Sequence, residues 1–144
     1  MSFPAFGGIT SLVIASSETG GVLLERVWLK GEGEGKELVQ ASLECAKVEG
    51  ILGGSEGEGK ASDCYTSTYK SHNLVFQRIS DVVLFCSGTR DKNHARVAKT
   101  MKLFLASLGE LLNKKAITEE RVVKNYAKVC AISEEIVGEG VVVH

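Results

Sequence analysis

A chain of 144 residues, 44% of them hydrophobic, can bury roughly 68–70% of its unfolded surface and so sustain one core without staples. Its 17 Lys and Arg against 18 Asp and Glu leave a net charge of −1, which excludes the strong overall field expected of a nucleic-acid binder or a protein drawn to anionic membranes. No apolar run approaches the 18 or so residues of a membrane span, and residues 1–8 lack the basic start and apolar stretch of a signal peptide, so a soluble, cytoplasmic, one-domain chain is expected.

Residues 9–15 and 22–28 are β-branched and aliphatic runs separated by Ser-Ser-Glu-Thr-Gly-Gly, which is hairpin chemistry because glycine accepts positive φ. The second run does not split cleanly into a wet and a dry face, so both of its faces are expected to be partly covered. Trp28, the only tryptophan, ends that run beside Leu29 and a Gly-Glu tract read as flexible, residues 31–35. Packing into the core is the first reading for Trp28; the alternative is an interface anchor, since tryptophan dominates buried interfaces, which makes Trp28 and Leu29 the candidate partner contact. Leu38, Ala41, Ser42, Cys45, Val48 and Leu52 then keep helical spacing up to Gly53 and Gly54.

Beyond a second Gly-Glu tract, residues 63–70, 74–79 and 82–87 read as three strands joined by the turns Ser-His-Asn and Ser-Asp, most economically as an antiparallel meander. Two amphipathic helices follow. Val97, Met101, Phe104, Leu108 and Leu111 share one face of the first; Val122, Tyr126, Val129, Ser133 and Ile136, with Cys130 and Val137, share one face of the second. Thr118 with Glu119 and Glu120 suits the opening of the last helix, and Gly138 its end.

Candidate chemistry is sparse. Cys45, Cys64, Cys86 and Cys130 are far apart within apolar or periodic segments, which suits reduced, packed thiols; zinc ligation wants close pairs. Residues 54–60, Gly-Ser-Glu-Gly-Glu-Gly-Lys, imitate a phosphate-binding loop. Ala61 stands where a magnesium-binding hydroxyl is needed, and Glu56 and Glu58 would repel phosphates. His72, His94 and His144 are not paired by spacing with a nucleophile or an acid, and surface or capping roles are expected for them. Asp91 and Asn93 suit helix capping. Glu134 and Glu135 point about 100° apart on a helix and so form an acidic edge rather than a shared-proton pair. No cofactor, metal or catalytic residue is expected.

The order strand, strand, helix, three strands, helix, helix resembles the longin-like (SNARE-like) α+β fold, in which a five-stranded antiparallel sheet carries one helix on one face and two on the other. More narrowly, residues 74–86, Leu-Val-Phe-Gln-Arg-Ile-Ser-Asp-Val-Val-Leu-Phe-Cys, and the ending from Tyr126 through Glu134, Glu135 and Gly138 to Val141 are similar to the small chains of clathrin adaptor and coatomer complexes. The resemblance implies a single longin-like domain over residues 1–144, cradled by a large helical-repeat coat subunit and accompanied by a medium chain. It implies a non-catalytic role in vesicle-mediated transport, with membrane contact only through the complex and neither nucleic acid nor a small-molecule substrate as partner. Leu23 occupies the place where relatives that bind acidic dileucine signals carry a basic residue, so that recognition is not expected here. With the two Gly-Glu tracts, this departure suits a divergent branch such as the small subunit of the TPLATE (TSET) complex. The alternative is a longin-like platform facing a GTPase in a tethering or nucleotide-exchange complex.

Overall fold

In the computed structural model, residues 8–29, 32–52, 64–89 and 93–142 are described. Five strands, β1 (Ile9–Ser16), β2 (Val22–Val27), β3 (Tyr65–Tyr69), β4 (His72–Ile79) and β5 (Val82–Thr89), form one antiparallel sheet in the order β2-β1-β5-β4-β3. The expected hairpin and meander are both present. Helix α1 (Glu32–Val48) lies between β2 and β3 in sequence, and α2 (His94–Leu111), α3 (Glu119–Lys124) and α4 (Tyr126–Val142) follow the sheet. Among the described residues the fold is thus α+β, with a five-stranded antiparallel sheet and four helices.

Side-chain alternation assigns the two faces. Leu12, Ile14, Val75, Leu84 and Cys86 join Val97, Met101, Phe104 and Leu108 of α2, Val122 of α3 and Val129 and Val137 of α4 in the larger core. Val13, Ala15, Phe76, Val83 and Phe85 face the other way, against Val39 and Ala46 of α1 and against Ile51 and Leu52. Phe76 stacks at 5.6 Å on Tyr65 and at 5.8 Å on Phe85, carrying this second core out to the β3 edge.

Helix ends are set by local chemistry. The Asn93 side chain accepts the Arg96 N–H at 2.9 Å to open α2, and Thr118 accepts the Arg121 N–H at 3.3 Å to open α3, as capping requires. Asp81, in the β4–β5 turn, accepts the Glu119 N–H at 2.8 Å and ties α3 to the sheet.

Four expectations are corrected. Helix α1 starts within the tract read as flexible, because buried Gly35 lets it approach β2; a Cβ there would meet Val27 Cγ1 at 3.0 Å. It stops at Val48 rather than at Leu52, because Gly50, at φ 77°, donates to the Lys47 carbonyl while Ile51 donates to that of Ala46, a Schellman closure. Ile51 and Leu52 remain buried after this turn, so the apolar spacing outlasts the helix, whereas Val48 is 84% exposed. The turn between β3 and β4 is Lys70-Ser71, with Lys70 at φ 51°, which puts His72 and Asn73 in the strand. The last helix breaks at Asn125 (φ −110°, ψ 27°), whose side-chain amide donates to the Arg121 carbonyl at 2.9 Å in competition with helical geometry. As a result Tyr126 opens α4 48% exposed instead of packing inward, and α4 runs past Gly138 to Val142.

Phe104 is fully buried where α2 meets the sheet. Phe104→Ala is expected to cost about 3–5 kcal/mol, read as a lower denaturant midpoint at unchanged slope; a loss under 1 kcal/mol would contradict this packing.

Candidate partner-contact surface

Strand β2 is a sheet edge, hydrogen-bonded to β1 alone among the described strands. The Trp28 N–H donates to the Thr10 carbonyl at 2.9 Å, which extends the pairing one residue past the strand. The Trp28 ring is partly buried against the larger core, and Leu29 is half-buried beside it. Trp28 is therefore packed against the core with part of its surface accessible. Arg26 forms an ion pair with Glu134 across to α4, both groups being about a third exposed. Glu135 next to it is exposed. Tyr126 lies close enough to feel Arg26, and a hydrogen bond with the Cys130 thiol raises its phenol above the ordinary value against the lowering effect of that cation. With Val22 39% and Val123 55% exposed, the β2, α3 and α4 side presents apolar and aromatic groups set among charges, the composition typical of contact surfaces.

A shallow groove of about 590 Å³ runs between the β4–β5 turn and α3, lined by Asp81, Glu119, Glu120, Val123 and Lys124. A smaller one, about 210 Å³, lies between the end of α1 and β3 over Cys45, Val48, Ser67 and Phe76. Neither contains a histidine. Among the described residues no group of three His, Cys, Asp or Glu is placed to hold a metal ion.

Sequence reasoning missed the buried polar chain beneath the start of α1. His72, expected at the surface, is 3% exposed; its Nε2 lies 3.3 Å from Glu34 Oε2 and its Nδ1 lies 3.3 Å from Thr10 Oγ1. Thr10 Oγ1 is 2.7 Å from Ser87 Oγ, which is 2.6 Å from Ser11 Oγ. The order acid, imidazole, hydroxyl matches that used to activate a nucleophile, but Thr10 and Ser87 have no exposed surface, so a substrate has no path to either oxygen. The chain's buried members tie β1, β4 and β5 together, and the half-exposed Glu34 carboxylate links them to α1. His94, by contrast, lies at the start of α2 as expected, with Nε2 2.7 Å from the Ser67 carbonyl.

All four cysteines are free. Complete burial pushes the Cys86 thiol up to about 12, consistent with a packed, inert group. Cys64 departs from the expectation of packing, since it is exposed just before β3; partial desolvation raises its thiol, opposed by Lys102. The Gly54–Lys60 segment, Asp91 and His144 lie outside the described residues.

Thr10→Val keeps the side-chain shape but removes the link between His72 and Ser87, leaving buried polar atoms unpaired. A loss of about 1–3 kcal/mol is expected, seen as a melting temperature lower by several degrees; an unchanged melting temperature would mean the chain contributes nothing. A scan against protein-family models finds no match to this sequence, and a search of curated proteins finds none either.

Proposed function

We propose that this chain is a small, non-catalytic subunit of a cytosolic vesicle-coat or adaptor assembly in membrane trafficking, with a longin-like fold. The observation that carries the reading is the layering of one sheet, ordered β2-β1-β5-β4-β3, with α1 alone on one face and α2, α3 and α4 on the other. That arrangement is compatible with the longin-like plan, if α3 and α4 are taken as one helix interrupted at Asn125. The similarity of residues 74–86 and 126–141 to adaptor small chains supports the same reading. No described helix is long and apolar enough to cross a membrane, so membrane association would come through partners.

In this reading the β2, α3 and α4 side, with Trp28 and Leu29 at its rim, packs against a large helical-repeat subunit beside a medium chain. A permanent contact of that kind buries about 2,000 Å² or more. Trp28 would be its aromatic anchor, for which part of the ring must remain uncovered in the free chain, as it is here.

Affinity purification from native cells tests the proposal. A large helical-repeat chain and a medium chain in stoichiometric amounts are expected, and Trp28→Ala is expected to lower their recovery at least tenfold, given the 2 kcal/mol or so that interface hot spots typically supply. Recovery of a Rab-type GTPase in their place would favour the platform role, and a free monomer would overturn both readings. Undiminished recovery with Trp28→Ala, accompanied only by a lower melting temperature, would remove Trp28 from the interface.

A further inference from the structure

The near-neutral total charge conceals opposite net charges on two helices, α1 and α2. On one side of the sheet, α1 carries Glu32, Glu34, Glu37 and Glu44 against Lys36 and Lys47; on the other, α2 carries Arg96, Lys99 and Lys102 against Glu110 alone. With histidine neutral, the first helix has a net charge of −2 and the second of +2. The three cations of α2 are all exposed and oppose its buried face of Val97, Met101, Phe104 and Leu108. At 100° per residue, positions 96, 99, 102 and 103 fall within about 120° of the helix circumference and span about 10 Å along it. Leu103 sits inside this stripe, 51% exposed. Among the described residues none of the ion pairs involves Arg96, Lys99 or Lys102.

We propose that this stripe of α2 docks on an anionic phospholipid surface, Arg96, Lys99 and Lys102 meeting headgroup phosphates and Leu103 reaching the boundary of the acyl region. Charge complementarity selects an anionic occupant, and Leu103 selects a lipid one. An acidic peptide offers no apolar slot between its carboxylates, whereas the bilayer interface places hydrocarbon directly beneath its phosphates. Magnitude sets the role. Each cation close to an anionic leaflet favours binding roughly fivefold, so three supply on the order of a hundredfold. At physiological ionic strength that is too weak to hold a lone chain at a membrane, but sufficient to orient a chain that other contacts bring there; at low ionic strength the same cations are less screened and the lone chain binds measurably. The contact depends on α2 and not on the coat assignment, so either can fail without the other.

Co-sedimentation of the full chain with vesicles at low ionic strength tests the proposal. The wild-type chain is expected to pellet with phosphatidylcholine vesicles containing one-third phosphatidylserine and to stay in solution with phosphatidylcholine alone. The triple variant Arg96→Gln, Lys99→Gln, Lys102→Gln is expected to lose on the order of a hundredfold in partitioning, and Leu103→Ser to lose a smaller part, both with unchanged circular dichroism. Neutralising Lys114 and Lys115, which follow α2, is expected to leave binding intact. Equal binding to both vesicle types, no binding to either, a triple variant that binds as well as wild type, or capture of a polyglutamate peptide with indifference to the charged vesicles would each overturn it.

Discussion

Strands β1 and β5 lie side by side at the centre of the sheet, and between them only Thr89, at the end of β5, escapes full burial. A strand pair wet on neither face demands apolar cover on both, and the chain meets that demand unequally. On one side a long amphipathic helix and an interrupted one supply Met101, Phe104, Leu108, Val122 and Val129. On the other a single helix supplies little more than Leu38, Val39 and Ala46.

The thin side is where the unusual chemistry collects. An α1 face built from Gly35, Leu38, Val39, Ser42 and Ala46 is small enough to lie close to the strands, yet it buries too little hydrocarbon to hold the helix by area alone. The Glu34–His72–Thr10–Ser87–Ser11 chain adds directional bonds where apolar cover is scarce. Lys70 pairs with Glu37 at 3.5 Å nearby, but both groups are more than half exposed, so solvent screening leaves that pair a minor term. The buried hydroxyls and His72 hold β1, β4 and β5 in register, while the link to α1 runs through Glu34, itself half exposed and partly screened.

Much of this was legible from residue spacing, and what was not has a common cause. Helix α2 was readable because one face of it is continuous, and the first hairpin because glycine at Gly20 suits the bend, whereas the β3–β4 turn was displaced because Lys70 takes the positive φ there. The extent of α1 was not, because Gly31–Gly35 reads as a linker until Val27 is seen to need the room at Gly35, and because Ile51 and Leu52 prolong the apolar rhythm past a glycine stop. His72 looked like a turn residue beside Ser71, and its burial arises only when α1 and β1 close over it. Trp28 was sited at the end of a strand, as its N–H bond to Thr10 shows; how much of it stays uncovered depends on the larger core, most of which comes later in the chain. The basic stripe of α2 is visible in sequence, but its separation from the acids of α1 needs the sheet between them. Long-range packing is therefore what the pattern leaves open.

A sheet anchored at its centre leaves its accessible aromatic, apolar and basic groups at β2, at the α3–α4 junction and along α2, away from β1 and β5. Native-state amide hydrogen exchange of the free chain tests that anchoring most directly. The account predicts that β1 and β5 amides exchange only through global unfolding, while those of β2 and β3 exchange earlier through local opening. Central and edge strands exchanging at the same rate, or β3 outlasting β1, would contradict it.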